Sequence, residues 1–148
     1  MDGTIVDLYS VYNWVSKLNM EDSSPYDVSG TLVDIKEFEN LLIRLKERGY
    51  KIGIISWGSK KSGEKFLEET REVKKKWIEK NLPNVKFDEF VVLDYSCNKA
   101  SAVKDPFGIL FDDSNSIRIS WPGKAYQPKD MFKILNDLLK EGYSNERS

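Results

Sequence analysis

The sequence predicts an α/β domain in which helices pack on both faces of a parallel sheet, a three-layer α/β/α arrangement. Short apolar runs rich in β-branched residues alternate along the chain with longer segments that repeat apolar residues at helical spacing. Such alternation is typical of parallel strands, because the chain must cross back over the sheet between them. The sequence has no internal repeat, linker or low-complexity stretch, so we expect residues 1–148 to form a single domain.

Three segments have the apolar spacing of amphipathic helices. The first follows Asp34, which forms a capping-box pattern with Glu37, and this helix is predicted to end at Gly49. The second is a long segment at residues 62–81, whose many lysines and glutamates we interpret as a solvated outer face. The third begins at Pro128, a residue suited to the first position of a helix.

Four short runs are predicted to be strands, from their β-branched or aromatic content and from the turn residues beside them. They lie at residues 51–55, 90–93, 108–111 and 124–126. The run at 51–55 contains three isoleucines, and we expect it to be a buried strand of the sheet.

The composition excludes several classes of site. The chain has 23 basic and 24 acidic residues, a net charge of -1, so no overall field favours nucleic acid or an anionic membrane surface. Histidine is absent, which leaves no imidazole metal ligand and no histidine-activated nucleophile. Cys97 is the single cysteine, as is typical of a reducing compartment. Since no apolar run reaches the ~20 residues of a membrane span and no signal peptide is evident, we expect a cytoplasmic protein without a membrane partner.

Two adjacent carboxylates, Asp112 and Asp113, follow the apolar run at 108–111. Neighbouring anionic side chains repel each other unless a cation or a basic residue lies between them. Mg²⁺ prefers carboxylate and water oxygens, and the ligands of open α/β sheets bind beyond the carboxyl ends of the strands. The pair therefore indicates a magnesium site. The alternative is that the two aspartates are turn residues at the start of a loop, where aspartate is common.

Other polar residues stand at the ends of the predicted strands or in the loop at residues 1–5, which we call the first loop. If the sheet is parallel, all of them gather along one edge with Asp112 and Asp113. They are Asp2, Thr4, Ser56 and Lys99. Phosphoryl transfer uses this combination, because a metal and an ammonium neutralise the phosphoryl oxygens, a hydroxyl orients them and a carboxyl group carries the proton.

These residues occur in the order of the four motifs of the haloacid dehalogenase-like (HAD) phosphohydrolase superfamily, which the sequence resembles. The resemblance covers nearly the whole chain and is strongest to a compact subgroup common in phages and their bacterial hosts, related to 5'(3')-deoxyribonucleotidases. The matching segments are Met1-Asp-Gly-Thr4, Ile54-Ile-Ser56, Lys99 and Gly108-Ile-Leu-Phe-Asp-Asp113. The resemblance implies a Rossmann-like fold with a minimal cap, Mg²⁺ as the cofactor, and hydrolysis of a small-molecule phosphomonoester, with a nucleotide as one candidate.

The resemblance also implies a role for each matching residue. Asp2 would be the general acid and base, and its main-chain carbonyl would be a metal ligand. Lys99 would hold the nucleophile and the phosphoryl group together, although the nearby Lys104 competes for this role. On the substrate-binding side, Ser56 would bind the phosphate and Thr4 would steady the first loop.

The metal-binding carboxylates implied by the resemblance are Asp112, which would bind the ion directly, and Asp113, which would support its water shell or the lysine. Trp57 adjoins the phosphate-binding serine, and we expect it to contact the substrate. Residues 9–30 have the length of a small lid over the site and are too few for a full cap domain. The sequence makes no prediction of oligomeric state.

The chain departs from the family pattern at its N-terminal end. The family's nucleophilic aspartate stands two residues before the position of Asp2, its first strand precedes that aspartate, and the sequence contains neither. We therefore expect the strand at 51–55 to lack a neighbour, at a cost of ~1–3 kcal/mol for each unmade backbone hydrogen bond. Three interpretations stay open. Met1 is internal to a longer chain, so that the domain is truncated relative to the family; or the chain is an inactive phosphate- or nucleotide-binding module; or it is a structural or interaction protein.

Overall fold

Six short strands form three separate two-stranded sheets in the computed structural model, which describes residues 1–60 and 62–147, with side chains up to residue 141. The strands are β1 (Val6–Asp7), β2 (Gly30–Thr31), β3 (Gly53–Trp57), β4 (Glu89–Leu93), β5 (Leu110–Phe111) and β6 (Ala125–Tyr126). The helices are α1 (Trp14–Asn19), α2 (Ser24–Val28), α3 (Ile35–Glu47), α4 (Glu64–Asn81), α5 (Asn115–Ser120) and α6 (Met131–Arg147). None of these described helices combines the length and the apolar character needed to cross a lipid bilayer.

Two of the three sheets are parallel pairs. β3 pairs with β4 along its whole length, from Gly53 opposite Glu89 to Trp57 opposite Leu93. β5 pairs with β6 in the same parallel sense, whereas β1 pairs with β2 antiparallel. The α/β class and the parallel pairing predicted from the sequence are therefore confirmed. The described strands are nevertheless divided among small sheets and do not form one continuous sheet.

The main core lies where α3 and α6 pack together. α3 begins as predicted, because the Asp34 carboxylate accepts a hydrogen bond from the Glu37 backbone N–H at 3.1 Å. Phe38 of α3 stacks on Phe132 of α6, with ring centroids 6.0 Å apart. The first loop joins this core through Ile5, which is 2% exposed, so the helix pair and the first loop form one apolar unit.

The long charged helix α4 buries one stripe of its side chains and packs on β4 and α2. This stripe contains Phe66, Thr70, Lys74, Trp77 and Ile78. The interpretation of the lysines of this helix as a solvated face is therefore wrong for Lys74, whose side chain is completely buried. A lysine is buried only where partners replace its water, and these partners are found at the candidate site.

Residues 9–30 contain both α1 and α2 and form a small folded layer beside α4. Leu18 and Tyr26 of this segment are buried against Leu8 and against Phe66 of α4, making a second apolar cluster. This cluster fixes the segment on the same side of the molecule as the polar ends of β3 and β5, which share a cavity with it.

Candidate functional site

A cavity of about 500 Å³ opens beyond the carboxyl ends of β3 and β5. Ser56 and Trp57 are the last residues of β3, and Asp112 directly follows β5, so both strands deliver polar groups to its wall. The residues predicted for the site that line this cavity are Asp2, Ser56, Trp57, Lys99, Asp112 and Asp113. Thr4 is the exception, because it is buried and lines a different cavity.

Lys99 and Asp112 form a buried ion pair in the cavity wall. Lys99 Nζ lies 2.7 Å from Asp112 Oδ2, and Asp112 Oδ1 accepts a hydrogen bond from the Ser114 N–H at 2.9 Å. The Lys99 ammonium also stands 5.3 Å from the ring centroid of Trp57, a favourable cation–π position. Lys104 is exposed and does not line the cavity, so Lys99 is the lysine of this segment that reaches it.

A second buried ammonium, that of Lys74 on α4, lies behind the cavity wall and contacts both the first loop and β3. Its Nζ donates hydrogen bonds to Asp2 Oδ2, to Ser56 Oγ and to the Trp57 carbonyl oxygen, each at 2.8 Å. The same ammonium lies 4.6 Å from the ring centroid of Tyr26. Burial lowers the pKa of Lys74, and the neighbouring Asp2 carboxylate opposes that shift. All three donors of the ammonium are used, which joins the first loop, β3 and α4.

The motifs did not identify Lys74, although its position carried a signal. It lies four residues after Thr70 and four residues before Ile78, both of which face the interior from α4. A charged residue on the buried stripe of an amphipathic helix requires a partner, because an unpaired buried ammonium is very unfavourable. The spacing could therefore have marked Lys74 as a candidate, but it could not have named Asp2 as its partner.

Gly3 brings the first loop against the loop that carries Asp113. Its φ of 74° lies in the left-handed region that glycine adopts without strain. A Cβ atom at this position would overlap the Asp113 carboxylate and press on the ring of Tyr9. Loss of hydration and repulsion from Asp112 raise the pKa of Asp113 above its usual value. The left-handed glycine thus lets the first loop approach the Asp113 carboxylate without a clash.

Aromatic side chains form much of the remaining wall. Trp57 packs against Tyr95 with ring centroids 5.0 Å apart, and Tyr9 packs against Trp14 at 5.1 Å. All four residues line the cavity. Because Tyr9 and Trp14 come from the segment at residues 9–30, this segment is part of the wall, in the place expected of a small lid.

The carboxylates leave oxygen atoms that suit Mg²⁺. Asp113 is exposed and lines the cavity together with the adjacent Asp112 and with Asp2. In the part of the chain that the structure describes, no three acidic, cysteine or histidine side chains stand together as a metal-binding group. Mg²⁺ is usually held by one or two carboxylates with water and substrate oxygens, and the adjacent carboxylates of Asp112 and Asp113 suit that mode of binding.

Comparisons with known proteins identify no relative of this chain. No family model, no curated protein and no solved structure matches the chain.

Proposed function

We propose that the cavity is the active site of a Mg²⁺-dependent phosphomonoester hydrolase of the haloacid dehalogenase-like type, on a domain of three-layer α/β/α architecture. The observation that supports this most strongly is the gathering of one lysine, one serine and three aspartates around a single cavity, with the ammonium of Lys74 behind its wall. A transferring phosphoryl group requires cations and hydroxyl donors around its oxygens and a carboxyl group for the proton. The site has each of these groups within one space.

The phosphoryl oxygens would bind on the basic side of the cavity. Lys99 has two ammonium hydrogens beyond the one it gives to Asp112, and the Ser56 hydroxyl keeps its own hydrogen because its oxygen accepts from Lys74. Trp57 would lie against the rest of a small phosphomonoester, and its flat ring could stack on a nucleotide base. Mg²⁺, when bound by the carboxylates, would neutralise charge on the transferring group.

Asp2 would carry the proton. Its Oδ2 is paired with Lys74, whereas its Oδ1 has no partner within the protein. During hydrolysis the bond between phosphorus and the ester oxygen breaks, and Asp2 gives that oxygen a proton. Water forms the new bond to phosphorus and returns a proton to Asp2.

The buried Lys99 ammonium and the Ser56 hydroxyl in the cavity wall also support a second function, the binding of a phosphomonoester or nucleotide without turnover. Lys99, Ser56 and a bound cation would hold a phosphoryl group whether or not a nucleophile is present. The two functions use the same cavity and differ only in whether a product is released.

Phosphate release from para-nitrophenyl phosphate in MgCl₂ separates the two functions. We expect Mg²⁺-dependent release that is lost in Asp2→Asn and retained in Lys104→Gln, since Lys104 is exposed and outside the cavity. If no phosphate is released but a deoxynucleoside monophosphate raises the Tm, the binding function is correct. A protein that shows neither turnover nor stabilisation would contradict both functions and leave an interaction role.

A further inference from the structure

The wall of the candidate active site contains, besides Lys99, a lysine that the sequence motifs do not include. This residue is Lys60, which lies in the loop between β3 and α4 and lines the same cavity. The two lysines differ in depth, because the Lys99 side chain is buried whereas that of Lys60 is exposed. One ammonium group therefore lies inside the cavity and the other lies at its rim.

Two aromatic rings connect these ammonium groups through a series of contacts. Lys99 Nζ lies 5.3 Å from the ring centroid of Trp57, and Trp57 packs against Tyr95 with the centroids 5.0 Å apart. Lys60 Nζ in turn lies 5.2 Å from the ring centroid of Tyr95. Both ammonium groups thus occupy cation–π positions on one aromatic surface of the cavity wall.

The aromatic surface is held in place by the two loops that carry it. The indole N–H of Trp57 donates to the Cys97 carbonyl oxygen at 2.8 Å, which joins the end of β3 to the loop after β4. Tyr95 belongs to that loop. The Gly58 N–H extends the pairing of the two strands by donating to the Leu93 carbonyl oxygen at 2.7 Å. A ligand would therefore meet rings that are already positioned, which lowers the entropic cost of binding.

The backbone around Lys60 is also fixed. Gly58 is buried, and a Cβ atom at this position would lie 2.7 Å from the Leu67 side chain of α4, so the loop passes close to that helix. On the other side of Lys60, Ser62 Oγ donates to the Ser59 carbonyl oxygen at 2.8 Å. These contacts keep the position of Lys60 at the rim, while its ammonium group stays in contact with solvent.

Lys60 has no acidic partner among the described residues. The ion pairs in the described part of the chain use the basic groups of Lys46, Arg71, Lys74 and Lys99. An ammonium group has three donors, and a position on an aromatic ring uses none of them in a hydrogen bond to a carboxylate. The charge and the donors of Lys60 are therefore available to an anion that enters the cavity.

We propose that Lys60 is a specificity-determining residue and that the cavity prefers phosphomonoesters that carry a second anionic group at the far end. Lys99 would hold the phosphoryl group inside, and Lys60 would bind the second anion at the rim. The rings of Trp57 and Tyr95 would contact the apolar or flat middle of the molecule. This inference rests on the phosphate-binding role proposed above for the cavity.

Three non-hydrolysable ligands of similar shape test the proposal, because their binding can be measured whether or not the protein releases phosphate. Two have an anionic far end, 4-carboxybenzylphosphonate and 1,4-xylylenediphosphonate, and 4-carbamoylbenzylphosphonate has a neutral one. In MgCl₂ at low salt, isothermal titration calorimetry should give at least one anionic-ended ligand a Kd about fivefold lower than that of the neutral-ended ligand, after correction for the equivalent ends of the diphosphonate. High NaCl should reduce this preference, because salt screens an exposed ion pair.

The two anionic-ended ligands distinguish the possible sources of the second charge. Tighter binding of 4-carboxybenzylphosphonate would identify a carboxylate, and tighter binding of the diphosphonate would identify a second phosphoryl group. A preference for either one over the neutral-ended ligand supports the inference. Equal binding of all three ligands by the parent would overturn it and leave the proposed phosphate site intact.

Matched variants show whether Lys60 is the source of the preference. Lys65 is the control, since it is an exposed lysine at the start of α4 that does not line the cavity. We expect Lys60→Gln to bind the three ligands equally and to keep the affinity of the parent for the neutral-ended ligand. Lys65→Gln should keep the preference, as should Lys60→Arg, which retains the charge.

The variants also separate this inference from the proposed function. An equal loss of affinity for all three ligands in Lys60→Gln would overturn the inference, because Lys60 would then hold the phosphoryl group itself. An equal loss of preference in Lys60→Gln and Lys65→Gln would overturn it as well, because net charge alone would then be responsible. If the parent binds none of the three ligands, the phosphate site and the inference both fail. Release of phosphate from para-nitrophenyl phosphate can fail without affecting any of these binding results.

Discussion

Lys74 Nζ lies 2.8 Å from Asp2 Oδ2, and this contact joins α4 to the first loop. The Lys74 side chain has no exposure and that of Asp2 is 15% exposed, so the pair is held almost entirely away from water. The same ammonium holds Ser56 Oγ, which places the proposed proton carrier and the proposed phosphate-binding hydroxyl on one cation. The geometry of the site thus depends on a residue that need not contact the substrate.

Replacing Lys74 with methionine should destabilise the protein strongly. The change keeps an unbranched side chain of similar length but leaves the Asp2 carboxylate without its partner. Breaking a buried ion pair in this way costs about 3–5 kcal/mol, and the residual exposure of Asp2 favours the lower value. Urea denaturation measures the change, and Lys75→Met at the adjacent exposed position is the control, expected within about 0.5 kcal/mol of the parent.

The double variant Lys74→Met with Asp2→Asn identifies the source of that loss. If the unpaired carboxylate is responsible, its neutralisation should restore part of the stability, and the two changes will not be additive. Additive losses would instead mean that Lys74 acts through its contacts with Ser56 and Trp57 and not through charge.

The variants Lys99→Met and Lys104→Met show which of the two lysines holds the phosphoryl group, a role for which the sequence offered both. Lys99 is buried against Asp112, whereas Lys104 is exposed and lies outside the cavity. We expect Lys99→Met to abolish saturable stabilisation by a phosphomonoester and Lys104→Met to preserve it, as measured by thermal shift. Loss of stabilisation in the Lys104 variant alone would reverse the assignment.

Asp113→Asn should make the folded protein more stable near neutral pH. The pKa of Asp113 is raised by desolvation and by Asp112, so its ionised form is less favourable in the folded state than in the unfolded chain. The gain should be below about 1 kcal/mol, because the carboxylate keeps contact with water. It should shrink as the pH falls through the folded pKa and vanish below the ordinary value of 3.8, where the carboxyl is protonated in both states.

The response to MgCl₂ provides the internal control for this variant. Bound Mg²⁺ would relieve the repulsion between Asp112 and Asp113, so it should raise the Tm of the parent more than that of Asp113→Asn. An equal rise in both proteins would mean that Mg²⁺ does not bind at this pair of carboxylates.

The three longest helices, α3, α4 and α6, could be predicted from the sequence because their determinants are local, whereas the short helices α1, α2 and α5 were not predicted. The side chain of Asp34 caps α3 three residues away, and the apolar spacing of α3 and α6 is visible in single segments. The bounds of the strands were less accurate. The strand predicted at 51–55 is β3 at Gly53–Trp57, since pairing with β4 determines where it starts and ends.

The sequence predicted that the site residues lie together, but it did not predict the contacts that hold them in place. Strand ends and motif order place Asp2, Ser56 and Asp112 together, and all three line one cavity. Thr4 stands outside it because its side chain is buried and lines a second cavity, between β3 and β5. The pairing of Lys74 with Asp2 is a contact between distant segments, and no local pattern identifies the partner.

Gly123 approaches the backbone before β5 so closely that no side chain fits. A Cβ atom on Gly123 would lie 2.5 Å from the Phe107 carbonyl oxygen and 2.6 Å from that of Gly108. The indole N–H of Trp121 donates to the same Gly108 carbonyl at 2.8 Å, so the segment between α5 and β6 is fixed against the start of β5. The position of Asp112 at the end of β5 depends on this contact.

We expect Gly123→Ala to destabilise the protein by about 1–3 kcal/mol, because the new methyl group meets backbone atoms and not the end of a flexible side chain. Gly30→Ala is the matched control, since nothing lies within 4 Å of a Cβ there, and its free energy of unfolding should stay close to that of the parent. Urea denaturation compares the two variants. Because the clash pushes β5 away from β6, Gly123→Ala should also weaken Mg²⁺-dependent stabilisation, which Gly30→Ala should leave intact. Equal stability of both variants would mean that the loop before β5 moves without cost, and Asp112 would then be held by Lys99 and Ser114 alone.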